Sequence, residues 1–394
     1  MLFDFNFYSS LLLPAFIQGV LFAIILFVRG FKMERLSDRL LAALLLLNSL
    51  KIAYWMLGFA DWYDSHDGYT TFMFYFPFSN LLIISPLVYF YFLSLTNHQF
   101  RFQKKHWPHF ILPVAWLLLI VGKLIVDFGW HHPFANSPST QYGTKGPYAD
   151  LDKTDTTYII SYISFFYYLW LSIKTYKSYQ QYIVANFSAT DEISYTWVRN
   201  LLYALAAAVI IFLAFGILDE IFHWGEKQSY KYVWYAHFIL GLFVYYISIA
   251  GYNSPSKQPL LFNPAEQPVT TEKTVVTNDA NEVAIWKNQL QSFIEKHQPY
   301  LEPELSLALL AHQMNVPSSH LSKMINESME QNFNDFINSY RVKAFIQKLE
   351  SGEQATQTLL GIAYDCGFNS KATFNRAFKK DTGMSPKEWL VKHP

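Results

Sequence analysis

The stretch 358–386, TLLGIAYDCGFNSKATFNRAFKKDTGMSP, predicts two short helices separated by a tight turn. Thr358 is a good N-cap for the first helix, which we expect over Leu359–Cys366. Gly367 ends this helix, because a glycine takes the left-handed conformation at no steric cost. Phe368 then supplies an apolar plug below the turn.

The second predicted helix runs to about Lys380 and is capped by Asn369 or Ser370. Phe374 and Phe378 fall four residues apart, which places them on one buried face. The other faces carry polar and basic side chains, namely Lys371, Thr373, Asn375, Arg376, Lys379 and Lys380. Two short helices joined by a tight turn, the second polar and basic on its open face, form the helix-turn-helix arrangement.

The preceding residues repeat this plan. Ser306 caps a predicted helix to about Met314, and Asn315 takes the turn position that glycine holds in the second unit. The next helix begins near Ser318. Its inward side chains are Leu321, Met324 and Ile325, and its outward ones are Ser319, His320, Ser322 and Lys323. A longer helix, about Phe333–Leu349, connects the two units, so a two-lobed domain is predicted.

These motifs resemble those of AraC/XylS-type transcription regulators. The run from Ile362 to Lys380, followed by Gly383-Met384-Ser385-Pro386, closely resembles the signature of that family. Leu305-Ser306-Leu307, Ser322-Lys323 and Tyr340-Arg341-Val342 resemble its first unit and linker helix. The resemblance covers about residues 299–394 and implies that two recognition helices enter successive major-groove segments of double-stranded DNA. The positions that it places near bases are Ser319, Ser322, Lys323, Lys371, Ala372, Thr373, Asn375 and Arg376.

The charge distribution favours the second unit as the main DNA anchor. Residues 251–394 hold 14 Lys+Arg and 15 Asp+Glu, whereas residues 366–394 hold six basic and two acidic residues. Contacts to phosphate supply much of the affinity for DNA, so we add Lys379 and Lys380 to the predicted DNA-binding residues. The first unit has one cation, Lys323, close to Glu327 and Glu330, and we expect it to contribute less.

The first 250 residues are far more apolar than this tail. Over the whole chain 52% of residues are hydrophobic and 15% are charged, against roughly 25% charged in soluble domains. Seven apolar segments are long enough, or nearly so, to cross a bilayer, which takes about 20 residues. They are Ser9–Val28, Leu40–Gly58, Thr71–Leu95, Pro108–Phe128, Thr156–Ile173, Leu201–Leu218 and Tyr232–Ala250. We therefore predict an all-α chain, with a polytopic bundle of about seven transmembrane helices followed by a soluble two-lobed helical domain.

The loops between these segments alternate in charge. One set contains the basic residues Arg29, Lys32, Arg35, Arg39, Arg101, Lys104, Lys105, Lys174, Lys177 and Arg199. The other set is acidic, with nine Asp and Glu residues between Asp61 and Glu226. The positive-inside rule places the basic loops in the cytoplasm. This predicts an integral protein of the bacterial inner membrane, with the N-terminus outside and the C-terminal domain in the cytoplasm.

The predicted domains follow from changes in composition. Residues 1–251 form the helix bundle, 252–279 a proline-containing flexible linker, 280–298 a connecting helix and 299–394 the DNA-binding domain. The connecting helix has apolar residues at steps of three and four, namely Val283, Trp286, Leu290, Phe293 and His297. Two heptads are short for a coiled coil. A helix packed on the next domain is the favoured interpretation, and a seam in a homodimer is the alternative.

Three charged residues in the predicted spans are candidates for a polar site in the membrane. Lys51 lies in the second span, and Lys123 and Asp127 are four residues apart in the fourth, where they could form an ion pair. Such charges more often have a structural role, and a ligand site is the alternative. The long outer loop contains His131 and His132 together with Asp150, Asp152 and Asp155, but adjacent histidines rarely bind the same ion, so we predict no metal site.

The sequence shows no catalytic motif, so we predict no enzyme activity and no cofactor. It predicts a membrane-bound transcription regulator controlled by an unknown small-molecule or protein signal, with DNA and the lipid bilayer as its partners. Three alternatives stay open. The chain could be a transporter or membrane enzyme with a regulatory tail, a passive anchor released by proteolysis within 252–279, or a protein whose tail binds another protein.

Overall fold

The computed structural model describes residues 4–63, 67–78, 81–130, 145–222, 231–253, 260–264 and 280–393. These residues form fifteen α-helices and, apart from two isolated β-bridges, no β-structure. The first eight helices are α1 Phe7–Lys32, α2 Leu36–Gly58, α3 Gly68–Tyr75, α4 Leu81–Thr96, α5 Ile111–Leu124, α6 Asp155–Asn186, α7 Thr196–Phe222 and α8 Lys231–Tyr252. The other seven are α9 Ala280–His297, α10 Leu307–Gln313, α11 Ser318–Met329, α12 Phe333–Glu350, α13 Leu359–Asp365, α14 Lys371–Thr382 and α15 Pro386–Lys392. The predicted all-α class is confirmed.

Contacts divide the chain into two compact units. The N-terminal unit contains Met1–Thr175 and Thr196–Phe262, and the C-terminal unit contains Tyr176–Tyr195 and Asn263–Pro394. The last turns of α6 and the loop after it therefore belong with the C-terminal helices. The domain boundaries drawn from the sequence stay a prediction.

Four helical segments among the described residues are long and apolar enough to cross a membrane: Phe7–Lys32, Leu36–Gly58, Lys104–Gly129 and Trp234–Tyr252. The predicted count of seven is not confirmed. The predicted continuous segment Thr71–Leu95 is wrong as a single helix, because α3 ends at Tyr75 and α4 begins at Leu81. Phe76 is extended, with φ −70° and ψ 134°, and the following Pro77 disfavours the helical conformation at that residue.

Polar contacts at the helix ends fix the direction of α8 in the N-terminal unit. At one end, Arg29 of α1 forms an ion pair with Asp38 of α2 at 2.7 Å and donates to the carbonyl oxygen of Tyr252 at 2.8 Å. At the other end, the indole of Trp234 donates to the carbonyl oxygen of Tyr8 at 2.8 Å. Helix α8 therefore runs in the same direction as α1, and the chain leaves it at the basic end.

The C-terminal unit has two hydrophobic cores that share α12. The core of the first lobe is formed by Leu290, Ile294, Leu305, Leu307, Leu310, Ala311, Leu321, Ile325, Phe333, Phe336 and Ile337. The core of the second lobe is formed by Val342, Phe345, Leu349, Ile362, Ala363, Cys366, Phe368, Phe374 and Phe378. The N-terminal half of α12 thus packs in the first lobe and its C-terminal half in the second, which confirms the predicted two-lobed domain.

The turns of both units have the predicted backbone conformations. Asn315, Gly367 and Gly383 have φ of 54°, 90° and 78°, all in the left-handed region. Gly367 is constrained a second time, because a Cβ atom there would lie 2.3 Å from the carbonyl oxygen of Tyr300. The turn of the second lobe therefore touches the backbone of the segment that leads into the first.

We expect Gly367→Ala to destabilise the C-terminal unit by about 3 kcal/mol or more, because backbone strain and a clash with a main-chain oxygen act together. Gly383→Ala is the matched control, since its φ is also positive but its Cβ would meet open space; we expect about 1 kcal/mol there. Hydrogen exchange of the amides of α14 in the full chain measures both. Equal effects of the two substitutions would contradict the close approach.

Candidate nucleic-acid interface

Helix α14 is held by its cap and by its aromatic face. The hydroxyl of Ser370 accepts from the backbone N–H of Thr373 at 3.0 Å, so Ser370 rather than Asn369 is the cap. Phe374 and Phe378 are buried against Phe345 at ring distances of 4.7 and 5.6 Å. A rigid cap and a buried face leave the remaining side chains of α14 free to point outward.

Most of the predicted DNA-binding residues of α14 are exposed: Lys371, Ala372, Asn375, Arg376, Lys379 and Lys380. Thr373 is the exception, because it is only 2% exposed and its hydroxyl donates to a carboxylate oxygen of Asp191 at 2.5 Å. The sequence-based expectation that Thr373 lies on an open face is therefore wrong in this structure.

Helix α11 presents a weaker surface. Ser319 is exposed, whereas Ser322 and Lys323 are half-buried. The ammonium of Lys323 lies 4.0 Å from the carboxylate of Glu327, one turn further along the helix. A cation beside a carboxylate has less net charge to offer a phosphate, in line with the smaller contribution expected of the first unit.

The connecting helix α9 packs on the first lobe. Leu290 and Ile294 are buried in its core, and the ring of Trp286 meets the ring of His320 edge to face at 4.6 Å. These contacts support the packed-helix interpretation of the apolar spacing. They also correct the expectation that His320 points outward, because Trp286 covers it.

A second carboxylate lies beside the basic end of α14. The ammonium of Lys380 is 2.6 Å from the carboxylate of Asp335, in the first turn of α12. The Lys380 side chain is 65% exposed, so this pair is a surface contact that contributes little stability. It can be exchanged for a phosphate at small cost.

The loop that follows α6, residues 187–195, packs against the DNA-binding lobes. The amide of Asn334 donates to the carbonyl oxygens of Phe187 and Ser188 at 3.0 and 2.9 Å. The backbone N–H of Ser188 donates to the carbonyl oxygen of Leu305 at 3.1 Å. Residues 187–190 are all buried, so this loop is an integral part of the C-terminal unit.

Arg341 of α12 is fully buried where the lobes and the 187–195 loop meet. Its guanidinium donates to the carbonyl oxygens of Tyr300 and Glu302, each at 2.7 Å, and to the hydroxyl of Ser188 at 3.1 Å. Burial lowers the pKa of Arg341 to about 10, against which the nearby charge of Glu302 acts. The cation stays protonated at neutral pH and is solvated by backbone oxygens in place of water.

Asp191 of the same loop reaches the start of α14. Its carboxylate accepts from the hydroxyls of Ser370 and Thr373 and forms an ion pair with Arg376 at 3.3 Å. Burial opposes ionisation of this carboxyl, but the two hydroxyl donors and the charge of Arg376 outweigh it and lower the pKa of Asp191 below its ordinary value. The group is therefore a carboxylate at neutral pH.

Sequence reasoning missed the 187–195 loop and both of its contact points. It treated this part of the chain as one of the basic loops and assigned no role to Asp191 and Glu192, the two acidic residues that interrupt it. That interruption was the available signal. The contact itself joins residues 179 positions apart, which no local pattern encodes.

The predicted polar residues of the N-terminal unit are held by its own chain. Lys123 forms an ion pair with Asp152 rather than with Asp127, and donates to the carbonyl oxygen of Ala149 at 2.9 Å. Asp127, also fully buried, accepts from the hydroxyl of Tyr75 at 2.7 Å. Lys51 lies in α2 and is half-buried. His131 and His132 fall outside the described residues.

The capped turns, the two lobes and the exposed basic helix define a domain with two helix-turn-helix units. Residues 310–392 match the family model described as "Helix-turn-helix domain", and this part of the chain is a helix-turn-helix domain of the AraC type.

Similar proteins are named as regulators. Two uncharacterized HTH-type transcriptional regulators of Staphylococcus aureus, from strains COL and MSSA476, are each 35% identical over 107 residues. The match covers 27% of this chain and 14% of each relative. A solved structure from Listeria innocua, described as a protein with unknown function, has 29% sequence identity, covers 27% of this chain and 97% of its own, and gives a TM-score of 0.24.

We expect Arg341→Met to destabilise the C-terminal unit by about 3 kcal/mol or more, because several buried carbonyl oxygens lose their donor at once. The amide of Ser188 should lose its protection from hydrogen exchange, since the loop is no longer held. Lys343→Met, an exposed change on the same helix, should leave that protection intact. Retained protection in the Arg341 variant would show that the loop docks without this cation.

Proposed function

We propose that this chain is a membrane-bound transcription regulator whose C-terminal domain binds specific sequences in double-stranded DNA. The observation that carries the proposal is the exposed basic face of α14, set on a capped helix-turn-helix within the matched domain. The names of the relatives support transcription regulation as the role of this part of the chain. DNA binding by the two units requires no chemical step, cofactor or metal.

In the proposed complex the two recognition helices contribute unequally. The exposed residues Lys371, Asn375, Arg376 and Lys379 of α14 supply phosphate and base contacts, and Ser319, Ser322 and Lys323 of α11 add fewer. Thr373 takes part only after its hydroxyl leaves Asp191. Affinity is then expected to depend mainly on the second unit and to fall steeply with salt.

The membrane part of the proposal places the basic loops and the C-terminal unit in the cytoplasm. Two observations support it. The loop between α6 and α7 packs in the same unit as the DNA-binding lobes, and both were predicted inside from charge alone. In the N-terminal unit, α8 ends beside Arg29, at the basic end of α1. A location in the bacterial inner membrane follows from this proposal.

The signal is proposed to act through the N-terminal unit. The buried contacts of Lys123 and Asp127 hold residues 146–152 against α5, which favours a structural role for these charges over a ligand site. Proteolytic release within 252–279 is the weaker alternative, because a cut there leaves the C-terminal lobes bonded to Phe187 and Ser188. A transporter or enzyme with a regulatory tail, and a tail that binds protein, would be favoured by failure of the DNA test below.

We expect Lys379→Ala to weaken DNA binding about threefold to tenfold and to reduce the slope of log affinity against log salt by about 1, because one phosphate contact is lost. The measurement uses the full chain in lipid nanodiscs and duplexes that it selects from a random library. Lys343→Ala, an exposed cation on α12, is the control and should change neither quantity. Failure to select any duplex, or an unchanged slope for both Lys371→Ala and Lys379→Ala, would overturn the proposal.

Orientation is tested by single cysteines in a Cys366→Ser background. Glu192→Cys should react with a membrane-impermeant maleimide only after cells are permeabilised, and Leu151→Cys should react in intact cells, because both side chains are exposed but on opposite sides of the proposed membrane. Reaction of both in intact cells, or of neither after permeabilisation, would contradict the placement.

A further inference from the structure

The start of α14 binds an anion in this structure. Three donors converge on the carboxylate of Asp191: the hydroxyls of Ser370 and Thr373 and the guanidinium of Arg376. Hydroxyls at the first turn of a helix together with an arginine are the groups that also bind a DNA phosphate. In helix-turn-helix complexes the N-terminal residues of the recognition helix are the ones that approach the DNA.

The carboxylate is delivered by a rigid anchor. Ser188, three residues before Asp191, is buried and bonded to Leu305, Asn334 and Arg341. On the other side of Asp191, the carbonyl oxygens of Ile193 and Ser194 accept from the hydroxyls of Tyr179 and Tyr176 at 2.6 and 3.0 Å. An isolated surface ion pair contributes little, but a carboxylate fixed on both sides loses little entropy when it binds.

We infer that the 187–195 loop is an autoinhibitory latch, in which Asp191 occupies the phosphate position of the second recognition helix and is displaced when DNA binds. This inference rests on the proposed DNA contact of α14. Two negative groups cannot share the three donors, so the latched and the DNA-bound states exclude each other at this point. Thr373, buried under the latch, becomes available only in the second state.

The position of the loop in the sequence gives the latch an input. The loop directly connects α6 to α7, so a change in either helix reaches Asp191 within a few residues of chain. The route through residues 252–279, by contrast, enters the C-terminal unit at α9. Regulation by the loop therefore does not depend on the linker.

The test compares Asp191→Asn with Glu192→Gln in the full chain in nanodiscs, on the selected duplex. Both substitutions remove one negative charge from the same loop, but only Asp191 contacts Ser370, Thr373 and Arg376. We expect Asp191→Asn to bind DNA on the order of tenfold more tightly, because the latched state loses its charge-assisted hydrogen bonds. Glu192→Gln should bind as the unchanged protein does.

Each other outcome overturns the latch. Equal tightening by both substitutions would mean that the loop acts only through its net charge. Unchanged or weaker binding by Asp191→Asn would mean that the carboxylate positions α14 for DNA instead of blocking it. Lys379→Ala, which lies outside the latch, separates these results from failure of DNA binding itself: if it weakens binding while Asp191→Asn has no effect, the function stands and the latch does not.

Discussion

The C-terminal unit depends on one buried cation. Arg341 has no carboxylate within hydrogen-bonding distance among the described residues and is held by backbone oxygens of the segment before α10, by Asn338 and by Ser188. A buried charge without such partners would be very costly. The cost therefore forces three chain segments to stay together: the linker helix, the 300–303 turn and the loop after α6. The orientation of the lobes relative to each other follows from this arrangement.

The same arrangement explains why the second recognition helix is only partly open. The loop that satisfies Arg341 continues for three residues to Asp191, which reaches the first turn of α14. Stability and access to DNA are thus coupled through one short segment. The exposed cations further along α14 stay available, so DNA can make its first contacts there before the carboxylate is displaced.

The two charged clusters of the chain differ in what they permit. In the N-terminal unit, Lys123 and Asp127 are buried and fully bonded, and each fixes a loop segment. At the start of α14, Arg376 is 59% exposed although it is paired. A buried pair resists exchange because its separated charges would lack water, whereas an exposed pair exchanges partners readily. Only the second cluster has the properties of a switch.

The sequence by itself determined the local elements. Caps such as Thr358 and Ser306, left-handed turns at Asn315 and Gly367, and the buried spacing of Phe374 and Phe378 all depend on residues within a few positions of one another. These features were predicted and confirmed, as was the two-lobed all-α domain. The break between α3 and α4 was missed although Pro77 announces it locally, because the apolar run on either side outweighed it.

Only the tertiary structure decided the contacts between distant segments. It placed Asp191 on Thr373, Trp286 on His320, and Lys123 on Asp152 instead of on its helical neighbour Asp127. Hydrogen bonds and ion pairs have short range but no memory of sequence separation, so their partners are set by packing. The sequence determined which helices form and which face of each is polar, and the packing of the 187–195 loop decided how much of the DNA-binding face is open.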